Sequence, residues 1–167
     1  MKRVVLIPGF GGTASQPMLV RLAKLLTAGG LEAKRVTLPR VKPTPELAAE
    51  LAALKKHGAD AYVGRSFGGR VCIRDEAKVP RVLLGFPVRP PKRPRPLDEA
   101  ALLALRSPTL ILQGSDDELG PLDVLEPLCA KNPALRLEVI DGAGHGFGRH
   151  EKRVLERAAE WLLKQRE

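Results

Sequence analysis

The sequence has few aromatic residues, few cysteines and no long hydrophobic segment. Aromatic side chains make up only 4% of the 167 residues, while hydrophobic residues reach 44%, so we expect a core built mainly from Leu, Val and Ala. No apolar run approaches the ~18 residues that a membrane-spanning helix needs, so we expect no membrane-spanning segment. The two cysteines, Cys72 and Cys129, lack metal-ligand spacing, and we expect small core residues rather than a disulfide.

Basic residues outnumber acidic ones, 28 to 19, which gives a net charge of +9. Such a charge can attract nucleic acid, an anionic membrane or an acidic substrate. Most of the cations are scattered, and no basic stripe is interleaved with aromatic residues. We therefore expect neither nucleic acid nor a membrane as a partner. The scarcity of Asn and Gln, together with abundant Pro and Arg, is compatible with a thermostable protein.

The length predicts a single domain over residues 1–167. Basic residues at the start precede an apolar stretch that is too short for the core of a signal peptide and leads directly into a glycine-rich segment. We interpret that stretch as a first strand and expect a cytoplasmic protein. The sequence indicates nothing about oligomeric state.

Short apolar runs alternate with segments of helical periodicity along the whole chain. This alternation predicts an α/β fold, a three-layer α/β/α sandwich with a mostly parallel sheet of about six strands and no cap domain. Ser15 and Thr44 are candidate caps of the first two helices. The predicted strands are Val4–Pro8, Ala33–Leu38, Ala61–Val63, Arg81–Phe86, Pro108–Gln113 and Leu135–Ile140, and the predicted helices are Gln16–Gly30, Pro45–His57, Arg70–Ala77, Asp98–Leu105, Leu122–Lys131 and Glu151–Lys164.

The segment Gly64-Arg65-Ser66-Phe67-Gly68 lies between the third strand and the following helix and fits the pattern G-x-S-x-G. In a nucleophile elbow this turn holds the serine in a strained conformation, so the flanking positions must be small. The alternative is a glycine-rich turn with an incidental serine. Residues elsewhere in the sequence must decide between the two interpretations.

Acidic and histidine residues follow at later strand ends, in the order Ser…Asp…His. Asp116 and Asp117 come after the fifth strand, and the residues alone do not choose between them. His145 lies in a glycine-rich loop after the sixth strand, where it is a candidate base or only a turn residue. His57 and His150 are expected at the surface.

These residue types together can perform acyl transfer. His145 would take the proton of Ser66 during attack and return it to the leaving group, and the carboxylate of Asp117 would orient the imidazole. Two backbone N–H groups would stabilise the oxyanion, one from Phe67 and one from Phe10 in the loop after the first strand.

These motifs resemble the α/β-hydrolase superfamily and, more narrowly, the small dienelactone-hydrolase-like group related to testis-expressed protein 30 and KAT8 regulatory NSL complex subunit 3. The resemblance implies a minimal core without a cap, and it favours Asp117 as the acid. The sequence departs from the group at Pro8, where the loop usually begins with His, and at Arg89, where a histidine often stands. The matching segments are residues 8–12, 64–69, 84–91, 112–120 and 144–145.

We therefore expect a serine hydrolase of the carboxylesterase or thioesterase kind, acting on a small ester with no cofactor and no metal. The alternative is a catalytically silent interaction module with the same fold. Gly9, Gly11, Arg65 and Arg89 flank the proposed machinery and are candidate substrate-binding residues.

The basic residues of the proline-rich loop 87–96 also leave two interpretations open. We expect Lys92, Arg93 and Arg95 to form a solvated edge of the molecule. Because the loop follows a strand end, these cations are also candidates for steering an anionic substrate.

Overall fold

The computed structural model describes residues 1–166 and has a six-stranded sheet at its centre, with β-branched or leucine side chains in five of the six strands. Every residue of the third, fourth and fifth strands is buried, as expected where helices cover both faces of a parallel sheet. The strands are β1 (Arg3–Ile7), β2 (Glu32–Arg35), β3 (Ala61–Arg65), β4 (Arg81–Leu84), β5 (Thr109–Gly114) and β6 (Leu135–Ile140).

All strand pairs are parallel, in the order β2-β1-β3-β4-β5-β6. Because β1 pairs with β2 on one side and with β3 on the other, the chain reverses its direction across the sheet at this point. Ligands in open parallel sheets bind beyond the carboxyl ends of the strands at such a switch point. The glycine-rich loop after β1 and the Ser66 turn after β3 both begin there.

Two helical layers bury the faces of the sheet in separate apolar clusters. The helices are α1 (Pro17–Ala28), α2 (Ala48–Leu54), α3 (Phe67–Arg74), α4 (Pro96–Ala104), α5 (Leu122–Ala130) and α6 (Glu151–Lys164). Helices α1 and α6 cover one face, with Leu19, Leu22, Leu155 and Trp161 among the buried residues. Helices α2 to α5 cover the other face.

This architecture confirms the predicted three-layer sandwich, and no further domain is inserted within residues 1–166. The bounds of β6 and α6 agree with the prediction at both ends. None of the helices in the described chain combines the length and the apolar character needed to cross a membrane.

Both predicted helix caps are wrong. The N-cap of α1 is Gln16 rather than Ser15, and it makes no side-chain capping bond. Helix α2 begins only at Ala48, because a turn in which Leu47 N–H donates to the Thr44 carbonyl precedes it. Leu47 adopts a left-handed conformation with φ of 54°, which interrupts the helix predicted from Pro45.

The cysteines are free thiols in hydrophobic surroundings. Cys72 is fully buried, and burial raises its pKa to about 12. Cys129 is half-buried, and the same cause raises its pKa to about 11. Both thiols are therefore protonated and unreactive at neutral pH, which suits the role of small apolar residues.

Replacing Gly64 with alanine should strongly destabilise the fold. A Cβ at Gly64 would lie 2.4 Å from both N and Cα of Gly69, which are backbone atoms and cannot turn away. We expect the free energy of unfolding to fall by about 3 kcal/mol or more, measured by urea denaturation. Gly58→Ala is the matched control, since a Cβ there meets nothing within 4 Å. Equal stability of the two variants would contradict this account of the β3–α3 contact.

Candidate active site

Ser66 occupies the turn between β3 and α3 in a strained backbone conformation, with φ of 49° and ψ of −114°. The strain persists because α3 lies against two strands. A Cβ at Gly68 would come within 2.3 Å of the Ile7 carbonyl oxygen, and a Cβ at Gly64 would meet the backbone of α3. The glycines of the motif thus allow the helix to start directly behind Ser66, and the hydroxyl stands at the carboxyl end of the sheet.

The Ser66 hydroxyl is hydrogen-bonded to His145, with 2.8 Å between Oγ and Nε2. His145 comes from the loop after β6, and its other ring nitrogen, Nδ1, lies 2.8 Å from Oδ2 of Asp117. A carboxylate can only accept, so Nδ1 carries the proton and Nε2 is free to accept from Ser66. The three side chains, distant in sequence, form one continuous hydrogen-bonded chain.

Asp117 rather than Asp116 reaches the imidazole. The side chain of Asp117 is buried and also accepts from the Leu119 N–H and the side-chain amide of Gln113, at 3.0 Å each. Asp116 is exposed, and its carboxylate accepts only from Ser115 in the described chain.

Backbone contacts between two loops hold the acid and the imidazole together. The Asp116 N–H donates to the Ala143 carbonyl at 2.9 Å, and the Gly142 N–H donates to the Ser115 hydroxyl at 2.8 Å. A Cβ at Gly114 would lie 2.2 Å from the Ala143 oxygen, so this close approach requires glycine. The loops after β5 and β6 are therefore held in a fixed position relative to each other.

Phe67 and Phe10, whose N–H groups are the predicted oxyanion donors, both line a cavity that includes Ser66. Phe67 is the first residue of α3, so its N–H has no acceptor within the helix. Phe10 lies in the loop after β1 and is 74% exposed, and its ring packs edge-on against that of Phe67 with 5.8 Å between centroids. Gln16 braces this loop by accepting from the Gly9 N–H at 3.2 Å.

Two cavities open beside this arrangement. The cavity that includes Ser66, here the serine cavity, measures about 390 Å³, and its other lining residues are Phe10, Lys42, Pro43, Phe67, Arg70, Pro87, Pro90, Arg93, Arg95 and Leu119. The second, here the loop cavity, measures about 610 Å³ and is lined by residues 9–12, 38–43, Glu50 and Phe67. The two cavities share Phe10, Lys42, Pro43 and Phe67.

Residues 32–165 match the family described as alpha/beta hydrolase domain. The chain belongs to this family. No curated protein matches the sequence. Solved structures that are 15–20% identical to this sequence share its fold, and similarity at that level shows the fold alone.

Solved structures with the same fold include a dienelactone hydrolase from Anabaena variabilis (TM-score 0.78, 20% identity, covering 98% of this chain and 86% of that one). A monoacylglycerol lipase from Paleococcus ferrophilus has a TM-score of 0.80 at 15% identity, with 97% and 94% covered. Est1E from Butyrivibrio proteoclasticus, in a structure with ferulic acid bound, has a TM-score of 0.75 at 19% identity, with 99% and 89% covered.

Within this alpha/beta hydrolase domain, the serine cavity is strongly basic. Arg70 is paired with the buried carboxylate of Asp98, but Arg93 and Arg95 form no ion pair with a carboxylate of residues 1–166. Partial burial lowers the pKa of Arg95 to about 10, with further lowering from the charges of Arg70 and Arg93. The guanidinium stays charged at neutral pH, with the like charges of Arg70 and Arg93 and the opposite charge of Asp98 nearby.

Two predicted substrate-binding residues lie elsewhere in this hydrolase domain. Arg65 is 9% exposed, donates to the Leu84 carbonyl at 3.0 Å and stacks over the Phe147 ring, so it points into the protein. Burial lowers the pKa of Arg65. Arg89 is paired with Glu99 instead. Contrary to the prediction, neither side chain lines the serine cavity or the loop cavity.

The predicted glycines, by contrast, do lie at a cavity: Gly9 and Gly11 both line the loop cavity. His57 and His150, expected at the surface, are both only partly buried and outside both cavities. Within residues 1–166, no cluster of three His, Cys, Asp or Glu side chains could hold a metal ion.

Sequence reasoning missed three residues of the site: Gln16, Gln113 and Glu50. Gln113 is fully buried, accepts from the Phe86 N–H at 2.8 Å and donates to Asp117 and the Gly120 carbonyl. The available signal was its polar side chain at the end of an apolar strand, in a sequence with only three glutamines.

Replacing Gln113 with leucine should destabilise the protein. The change leaves the buried N–H of Phe86 without its acceptor and removes a donor from both Asp117 and the Gly120 carbonyl. We expect a loss of about 2–4 kcal/mol in the free energy of unfolding, measured by urea denaturation. Gln165→Leu, in which no side-chain bond within residues 1–166 is lost, is the control. A loss below about 0.5 kcal/mol for Gln113→Leu would show that the network contributes little.

Proposed function

We propose that the protein is a serine hydrolase that cleaves a small ester through a covalent acyl-enzyme. The observation that carries the proposal is the hydrogen-bonded chain Ser66–His145–Asp117, with 2.8 Å at each of its two links. Membership of the alpha/beta hydrolase domain family supports it. The same three residues could cleave a thioester, because Ser66 would attack its carbonyl carbon in the same way.

The chemistry divides into two steps. The Ser66 oxygen attacks the carbonyl carbon while His145 Nε2 takes its proton, and collapse of the tetrahedral intermediate expels the alcohol, which receives that proton. Water then attacks the acyl-enzyme with the same histidine as base and releases the acid. Asp117 stabilises the imidazolium in both steps, and the N–H groups of Phe67 and Phe10 stabilise the oxyanion.

The size and the charge of the serine cavity support the proposal that the substrate is short and anionic. No further domain covers the site within residues 1–166, and the cavity of about 390 Å³ suits a short acyl group rather than a long lipid. Arg93 and Arg95 have no carboxylate partner in the described chain, so a substrate carboxylate would relieve their mutual repulsion.

Ser66→Ala should remove both turnover and covalent labelling. We expect kcat for p-nitrophenyl acetate to fall by at least about a thousandfold, because no nucleophile remains. A fluorophosphonate probe should label the wild type, and peptide mapping should place the label on Ser66. Ser107→Ala is the control, since Ser107 lies outside both cavities.

Folded wild type that neither hydrolyses esters nor reacts with the probe would overturn this proposal. A catalytically silent interaction module would then be the better description. The narrower kinship with the dienelactone-hydrolase-like group is likewise a proposal, carried by the sequence motifs alone.

Arg95→Met should reduce a preference for anionic esters. We expect wild type to favour the p-nitrophenyl ester of a dicarboxylic half-acid over its neutral isostere by roughly tenfold in kcat/KM. The variant should lose most of this preference, because a guanidinium that has no carboxylate partner in residues 1–166 is gone. Arg89→Met is the control, since Arg89 is paired with Glu99 and lies outside the cavity. An equal preference in all three proteins would exclude Arg95 as the anion-binding group.

A further inference from the structure

One carboxylate beside the candidate site lacks a partner. Glu50 is 1% exposed, and its Oε1 is the one buried side-chain oxygen or nitrogen in residues 1–166 without a hydrogen bond. Its side chain lines the loop cavity. A buried acceptor left unsatisfied costs about 1–3 kcal/mol, so such a group calls for an explanation.

The other buried carboxylates of the described chain are all satisfied. Asp98 is paired with two arginines. Asp117 accepts from an imidazole, an amide and a backbone N–H. Asp75 accepts from a tyrosine hydroxyl and a backbone N–H. The fold therefore pairs its buried acids in general, and Glu50 departs from that pattern at a cavity wall.

A strained turn holds Glu50 in this position. Leu47, three residues earlier, is fully buried and has a φ of 54°, which is unfavourable for a leucine. Its carbonyl accepts the first backbone bond of helix α2, from the Leu51 N–H at 2.9 Å. The turn thus sets the orientation of the helix that carries Glu50. Strain of this kind persists where the surrounding structure enforces a particular geometry.

The loop cavity adjoins the serine cavity. The rings of Phe10 and Phe67 border both, and residues 9–12, which include one proposed oxyanion donor, form a wall of the loop cavity. A substrate whose carbonyl lies between Phe10 and Phe67 therefore has room to extend toward Glu50. This connection makes Glu50 relevant to specificity.

The charges that line the loop cavity favour a neutral donor over a cation. Arg40 and Lys42 also line the loop cavity, so an ammonium group would meet two positive charges and one negative charge there. A hydroxyl can donate to the Glu50 carboxylate without that repulsion.

We propose that the loop cavity is a substrate subsite in which Glu50 accepts a hydrogen bond from a hydroxyl of the substrate. This inference rests on the proposed ester hydrolysis and specifies the substrate class as hydroxylated esters. Glu50 is a specificity-determining residue, remote from the bond that is cleaved.

The test compares esters that differ only by a terminal hydroxyl or methyl group. One series carries it on short acyl chains of increasing length in p-nitrophenyl esters, and the other carries it on the alcohol part of acetate esters. We expect at least one hydroxylated member to be favoured by roughly ten- to a hundredfold in kcat/KM over its methyl isostere. Glu50→Leu should bring this ratio close to one. Glu46→Leu, at an exposed position just before the same helix, should keep it.

The outcomes separate the two proposals. Absence of turnover with every ester would overturn the proposed function and this inference with it. Turnover without preference for any hydroxylated member, or a ratio unchanged by Glu50→Leu, would overturn this inference alone. Preference for a terminal ammonium over a hydroxyl would overturn the assignment of a neutral donor.

Stability gives an independent measure. Removing the unsatisfied buried carboxylate should raise Tm by roughly 2–4 °C in both Glu50→Gln and Glu50→Leu, measured by calorimetry without substrate. A fall in Tm for both variants would show that Glu50 has a structural partner in the protein, and the subsite would be excluded.

Discussion

The close approach of helix α3 to strands β1 and β3 is the contact on which the rest of the site depends. It leaves no space for a side chain at Gly64 or Gly68, where a Cβ would meet backbone atoms at 2.4 and 2.3 Å. Because the helix starts directly behind Ser66, the serine must take up a φ of 49° and present its hydroxyl at the sheet edge. The same contact leaves the Phe67 N–H free beside that hydroxyl, since it is the first residue of the helix.

The parallel sheet brings Asp117 and His145 to the end of the molecule where Ser66 lies. Strands β3, β5 and β6 run in the same direction, so the loops that carry Ser66, Asp117 and His145 emerge at one edge. Buried hydrogen bonds then fix the positions of these side chains and loops. Gln113 ties the Asp117 carboxylate to the loop after β4, and backbone bonds join the loops that follow β5 and β6. A network in which every member is satisfied is rigid, and proton transfer between fixed groups requires such rigidity.

The unpaired charges of the site lie on the walls of its cavities. The buried acids away from the cavities are paired, and Arg65 is held against Leu84 and Phe147. Arg93, Arg95 and Glu50, by contrast, border open space without an ion pair to residues 1–166. Groups of this kind lower the stability of the folded protein in the absence of a ligand, and a bound molecule can relieve that effect. Their placement agrees with the proposed substrate, which carries an anion toward one cavity and a hydroxyl toward the other.

The α/β class, the six strands and the serine turn could be predicted from the amino-acid sequence, because periodicity and glycine spacing are local properties of the chain. The sequence also placed β6 and α6 to the residue. It could not choose between Asp116 and Asp117 without a family resemblance, since that choice depends on which carboxylate faces an imidazole from a loop about 28 residues away. The predictions for Ser15, Thr44, Arg65 and Arg89 were wrong, and Gln16, Gln113 and Glu50 were missed. These roles depend on the three-dimensional structure, because burial and hydrogen-bond partners come from segments distant in the chain. A side chain's partners determine whether it stabilises the fold or faces a ligand.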